Sequence, residues 1–203
     1  MNAPEPGPAT LTAWLAERAR SGDLSRFEEL YSRVAPALYG WSSLRIRPGL
    51  RGRIDPEEVV QETWLRALRS FDRYDPERGT FRAWIFGLAK NVLLEGLHAA
   101  RQGTFPGEAN PRSGLSRLEN LPDTTTSPTR RLARDEGLQR FLERVRALGD
   151  EEQTLLILIG LEGLSCERAA LRLGISHEAT LKRWQRLKGE LASRGVPHEL
   201  LVE

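Results

Sequence analysis

The sequence predicts an all-α fold of two small helical domains joined by a flexible linker, and three observations carry that prediction. Apolar residues recur at spacings of three and four, the period of helices that each bury one face. Alternating polar and apolar runs, the mark of a half-buried strand, are almost absent. Residues 102–131 break the helical pattern with four prolines (106, 111, 122 and 128), three glycines and the run DTTTSPT.

Each element can be justified in order. Residues 1–9 read as a disordered start and 10–101 as the first domain. Asp23 is suited to cap a helix in which Phe27, Leu30, Val34 and Leu38 form one apolar stripe. DPEEVVQETWLRAL then opens a second well-marked helix. Asp55 stands at the N-cap, Pro56 at N1 and Glu58 at N3, where a capping box would close. Val59, Leu65, Leu68 and Phe71 are expected inward, and Glu58, Gln61 and Glu62 outward. A Pro-Gly turn at 75–79 precedes a helix from about Thr80 to Arg101, rich in aromatics and bearing Arg82, Lys90 and Asn91.

Residues 102–131 cannot bury enough apolar area to fold alone and read as the linker. As a flexible coil it spans roughly 30 Å, and about 90 Å drawn out in polyproline form. The second domain, 132–196, resumes helical spacing at Leu138, Leu142 and Val145, then at Leu155, Leu158 and Ile159. LSCERAALRLGISHEATLKRWQRLKGELA follows, with a short helix through Ala169, Ala170 and Leu173, then Gly174 as a left-handed turn residue. Ser176 caps the next helix, so the block is a helix-turn-helix. Thr180, Trp184, Leu187 and Leu191 share its buried face, which turns His177, Ala179, Lys182, Arg183 and Arg186 outward. Residues 197–203 are a tail.

Composition narrows the function. The chain has 203 residues, 39% hydrophobic and 29% charged, with a net charge of only +2. The cations are unevenly placed: RIRPGLRGR carries four arginines and no acid, which suits a polyanion. Cys166 is the only cysteine, so no internal disulfide can form and a reducing cytoplasm is expected. The N-terminus lacks the features of a secretion signal, and LLILIGL is too short to cross a bilayer, so no membrane partner is expected. His98, His177 and His198 are scattered without ligand spacing. No metal, cofactor or catalytic constellation is therefore expected, and an enzyme is disfavoured.

With both blocks in view, the sequence resembles a sigma factor of bacterial RNA polymerase, of the compact extracytoplasmic-function type in the sigma-70 family. Residues 55–101 resemble region two and residues 132–192 resemble region four, in the family's order and across a linker. The recognition helix departs from the pattern at two positions: Thr180 stands where Val is usual, and Leu181 where a basic residue is common. The first twenty residues carry no part of the resemblance.

The resemblance implies a role without covalent chemistry. The chain would bind core RNA polymerase, read two promoter elements and assist melting. Asp55, Glu58, Gln61 and Glu62 would face the clamp of the polymerase's largest subunit, where complementary charge sets orientation and on-rate. Arg78, Thr80, Phe81, Arg82, Trp84, Lys90 and Asn91 would meet the minus-ten element, duplex and then single-stranded. Unstacking a base costs a few kcal/mol, and an aromatic platform returns about 1–3 kcal/mol per base. Trp84 is equally suited to the core. Ser176, His177, Ala179, Lys182, Arg183 and Arg186 would read the minus-thirty-five duplex. The resemblance leaves room for an anti-sigma factor. The competing reading is a stand-alone helix-turn-helix repressor acting on duplex DNA without polymerase.

Overall fold

A computed structural model describes residues 8–20, 24–102 and 132–193. Asp23, His198, the linker from 103 to 131 and the tail lie outside the described residues. The described residues hold eight α-helices. In the first block these are α1 (Pro8–Arg20), α2 (Leu24–Arg45), α3 (Pro56–Arg69) and α4 (Phe81–Gln102). In the second they are α5 (Glu136–Arg146), α6 (Asp150–Leu155), α7 (Cys166–Leu173) and α8 (His177–Ser193). Short 3-10 turns occupy Pro48–Leu50 and Phe71–Arg73, and α6 runs on into a π-helical segment, Leu156–Leu161. Among the described residues there is no strand, so the fold is all-α.

Local chemistry explains where the helices start. The Asp55 carboxylate accepts from the Glu57 N–H at 2.8 Å, and Pro56 supplies its preset φ at the first helical position. At α4 the Thr80 hydroxyl accepts from the Ala83 N–H at 3.2 Å, which makes Thr80 the cap. Asp135, Ser165 and Ser176 serve α5, α7 and α8 in the same way, accepting from Leu138, Arg168 and Ala179. Between α7 and α8 the chain turns at Gly174 with φ +67°, a conformation costly for any residue with a Cβ.

Packing follows the apolar stripes. Helix α1, which sequence reasoning did not find, lays Leu15, Ala16 and Ala19 on α2. Helix α2 answers with Leu30, Val34, Ala37, Leu38 and Trp41, at helical spacing despite Pro36 in its interior. On α3, Val59, Val60, Thr63, Trp64 and Ala67 are buried against α2 and α4. Two sequence expectations fail here. Leu68 is half exposed rather than inward, and Glu62 is 5% exposed rather than outward. The reason for the second lies in Arg66, treated below.

The two blocks pack on one another and their buried residues form one continuous cluster. Helix α2 contacts both α5 and the π segment. Gly40 of α2 makes the approach close: a Cβ there would stand 3.5 Å from Phe141 Cε1 and 3.7 Å from Leu138 Cδ1. In the helix-turn-helix, Thr180, Trp184, Leu187 and Leu191 are all buried, as their spacing predicts.

Candidate nucleic-acid and polymerase interfaces

The loop before α4 is tied down by Asp75, whose carboxylate accepts from the Glu77 N–H at 3.0 Å while its carbonyl accepts from the Arg78 N–H at 3.1 Å. Arg78 stands out into solvent and reaches back to Asp75 at 3.4 Å. Thr80 is exposed, with its hydroxyl used as the cap. Phe81, by contrast, is 1% exposed. It sits inside an aromatic cluster with Tyr74, Trp84, Phe71 and Trp64, at centroid distances of 5.6, 5.7, 6.0 and 6.1 Å. Enclosed on these sides, the Phe81 ring presents no face to a base in this structure. Trp84 is the half-buried member at the rim, packed on Tyr74 and Phe71.

Two cations of α4, Arg82 and Lys90, point to the second block. Arg82 donates through Nε to the Leu161 carbonyl at 2.6 Å and through Nη2 to that of Gly160 at 3.3 Å. Its guanidinium lies over the Phe86 ring. Burial pulls its pKa down to about 10, with Arg33 adding to the effect, and it remains cationic at neutral pH. Lys90 donates to Glu162 at 2.6 Å. Asn91, one residue on, is exposed.

Glu162 is the polar centre that sequence reasoning missed, together with Trp41 and Arg45, which both donate to its Oε1 at 2.9 Å. It has no exposed surface, and Arg172 adds a fourth contact at 3.6 Å. One signal in the sequence could have found it: a lone acid directly after the apolar run LLILIGL. An acid carried into a core by such a run needs cationic or N–H partners.

On α3, the expected polymerase-facing residues divide. Asp55 and Glu58 are exposed and Gln61 is half-buried. Although its surface is open, partial desolvation, followed by the charges of Asp55 and Glu57, raises the Glu58 carboxyl above its usual value. Glu62 is turned in because Arg66 lies over it. Arg66 donates to Glu62 at 2.7 Å and makes a two-pronged contact with Glu95 of α4 at 2.8 and 2.7 Å. Glu95 is held below the usual carboxylate range by that guanidinium. Arg66 therefore ties α3 to α4, and Glu62, buried beneath it, offers no outward charge.

The recognition helix α8 begins at a capped N-terminus, where unpaired N–H groups favour an anion. His177, Lys182, Arg183 and Arg186 are exposed and Ala179 is half-buried. The cations are held by acids for now: Lys182 by Glu178 at 2.8 Å, Arg183 by Glu151 at 2.8 Å and Arg186 by Glu152 at 3.1 Å. Such exposed pairs are weak and salt-screened, so phosphates can displace them. Among the described residues no three His, Cys, Asp or Glu are grouped to hold a metal ion, and no helix is long and apolar enough to cross a membrane.

Comparison with known proteins gives these surfaces a context. The family description "Sigma-70 region 2" matches residues 30–102, from within α2 to the end of α4. The RNA polymerase sigma factor CnrH of Cupriavidus metallidurans is 27% identical over 88% of this chain and 91% of its own length. The sigma factor CarQ of Myxococcus xanthus is 29% identical over 84% of this chain and 89% of its own. The ECF RNA polymerase sigma factor BldN of Streptomyces coelicolor is 26% identical over 91% of this chain, which spans 66% of that longer protein. Matches over 84–91% of the chain extend into both helical blocks. Residues 30–102 thus match Sigma-70 region 2, and over most of its length the chain is similar to RNA polymerase sigma factors, some of them named as the extracytoplasmic-function (ECF) type.

Proposed function

We propose that this protein binds core RNA polymerase, directs it to specific promoters and assists opening of the duplex, with no covalent chemistry of its own. The observation that carries the reading is the pairing of two surfaces on one chain. The Sigma-70 region 2 match ends on α4, whose N-terminal loop sets Arg78, Thr80 and the rim of an aromatic cluster at the surface. The second block presents a capped helix with Lys182, Arg183 and Arg186 outward after a left-handed glycine turn. A duplex reader alone needs only the second. The place of action is the cytoplasm, where polymerase and chromosome meet.

Within this reading, Glu58 and Gln61, with Asp55 at the helix start, face the polymerase clamp. Glu62 supports them from inside. Trp84 takes the stacking role that buried Phe81 does not offer, beside Asn91 and Arg78. Ser176 and His177 bring the α8 N-terminus to a phosphate, and Ala179, Lys182, Arg183 and Arg186 follow the groove. Incubating the tagged full chain with core polymerase and isolating the complex tests the reading. A stoichiometric complex supports it. A chain that ignores polymerase yet binds duplex DNA by itself would establish the repressor instead.

A further inference from the structure

Among the described residues four large apolar side chains are exposed, Leu68, Leu94, Leu171 and Leu181, and the last of these stands on the recognition helix. Leu181 lies in the second turn of α8 and is 38% exposed. Gln185, one turn further along, is exposed as well. Neither belongs to the cationic surface described above.

The geometry of α8 sorts its outward side chains into two flanks. Thr180, Trp184, Leu187 and Leu191 form the buried stripe. At roughly 3.6 residues per turn, Leu181 and Gln185 fall to one side of that stripe, about 90° and about 130° away. Arg183 and Arg186 fall to the other side, about 70° and about 130° away, and Lys182 points nearly straight out. The contacts agree with this sorting. Arg183 and Arg186 reach Glu151 and Glu152 in the first turn of α6, so the arginine flank faces α6 and the flank of Leu181 and Gln185 lies away from it.

Chemistry gives the two flanks different work. A guanidinium can turn to a phosphate as readily as to a base, and a phosphate carries no sequence information. Leu181 has no such choice. On a helix seated in the major groove, an apolar side chain gains by covering apolar surface, and the C5-methyl of thymine is the apolar group that a base edge presents there. Gln185 carries a donor and an acceptor in one plane, the complement of N7 and N6 of adenine. Four residues advance about 6 Å along the helix axis, against a rise of about 3.4 Å per base pair, so the two side chains are spaced for bases one or two steps apart. Lys182 beside Leu181 and Arg186 beside Gln185 supply the cations that hold the backbone while those bases are read.

We propose that Leu181 and Gln185 set the sequence specificity of α8, with Leu181 covering a thymine methyl and Gln185 pairing with an adenine one or two base pairs away. The inference rests on the reading of α8 as a helix that enters a DNA groove, and it holds with or without polymerase.

The test begins with duplexes selected from a randomised upstream element by the full chain, both alone and with core polymerase. Each thymine of the recovered element is then replaced singly by deoxyuridine, which pairs identically but lacks the methyl. Each adenine is replaced singly by 7-deazaadenine, which lacks the N7 acceptor. For the parent, one deoxyuridine is expected to weaken binding about three- to fivefold, the effect of one buried methyl. One 7-deazaadenine is expected to weaken it about tenfold. Leu181→Ala should bind thymine and deoxyuridine alike at that position, whereas Leu181→Met, which keeps an apolar tip, should retain the preference. Gln185→Ala should lose the response to 7-deazaadenine and keep the response to deoxyuridine. All three variants should melt as the parent does, because both side chains lie outside the core. A parent indifferent to every deoxyuridine overturns the proposal, as does a Leu181→Ala chain that keeps the methyl preference or a Gln185→Ala chain that keeps the response to 7-deazaadenine. A chain that recovers no sequence in either format removes α8 as a DNA reader and this inference with it, a result distinct from selection without methyl dependence, which removes the inference alone.

Discussion

Replacing Phe81 by alanine should damage the fold before it damages any step with DNA. The ring is 1% exposed, and four aromatic rings surround it at 5.6 to 6.1 Å. Truncating a buried Phe to Ala removes its transfer free energy and leaves a cavity, a loss of about 3–5 kcal/mol. Edge-to-face partners place the value toward the upper half, since each aromatic pair adds about 0.5–1.5 kcal/mol beyond area. For a chain of this size each kcal/mol is roughly 2–4 °C in Tm, so the midpoint should fall by roughly 6–20 °C. Phe81→Leu, which keeps most of the volume, should lose no more than about half as much. Thermal and urea unfolding followed by circular dichroism measure both, with half-buried Trp84→Ala as a milder comparison. A loss below about 1 kcal/mol for Phe81→Ala would refute the reasoning and return the ring to the DNA surface.

Four further outcomes follow from the same geometry. Gly174→Ala puts a Cβ at φ +67° and should cost about 1–2 kcal/mol, read by denaturation, with weakened upstream-element binding because the turn sets the α7–α8 angle. Arg66→Met leaves Glu62 buried without its cation and should destabilise by about 3–5 kcal/mol at neutral pH. Because Arg66 lowers the folded pKa of Glu95, the stabilisation that contact provides is fully present above the ordinary carboxylate value. It is lost as pH falls through the folded value, so unfolding curves of parent and variant should draw together in acid. Glu58→Ala combined with Gln61→Ala should weaken co-purification with core polymerase at unchanged Tm, since neither side chain is in the core. Arg183→Ala should cost about 1–3 kcal/mol on a matched upstream element if it reads a base, and Arg186→Ala should flatten the salt slope by about one unit if it holds a phosphate.

The helix starts and the recognition helix were legible because each rests on local chemistry. A cap, a proline at N1 or a left-handed glycine acts within a few residues, and the buried face of α8 follows from spacing alone. Helix α1 escaped because a proline-rich stretch precedes it and its stripe of Leu15, Ala16 and Ala19 is mostly small residues. The orientation of Glu62 was misjudged for a different reason. A carboxylate on a polar-looking face reads as exposed unless its partner is known, and Glu95, which fixes Arg66 over it, lies on another helix. Arg82 and Lys90 share that difficulty more strongly. Their partners are carbonyls and a carboxylate some 70 to 80 residues onward, beyond the linker, and no periodicity reports such a contact. Phe81 was assigned to a DNA surface through the family resemblance of the loop that it ends. Its burial depends on Trp64, Phe71 and Tyr74 converging on it, which only the tertiary fold brings about.

The central claim is that this chain opens promoters together with polymerase. A permanganate footprint on a promoter recovered by binding selection tests it most directly, comparing core polymerase alone, the chain alone and the two combined. Thymine reactivity in the minus-ten region is expected only with both present, reduced by Asn91→Ala and Trp84→Ala. Absence of melting in the combined sample, alongside sequence-specific duplex binding by the chain alone, would contradict it.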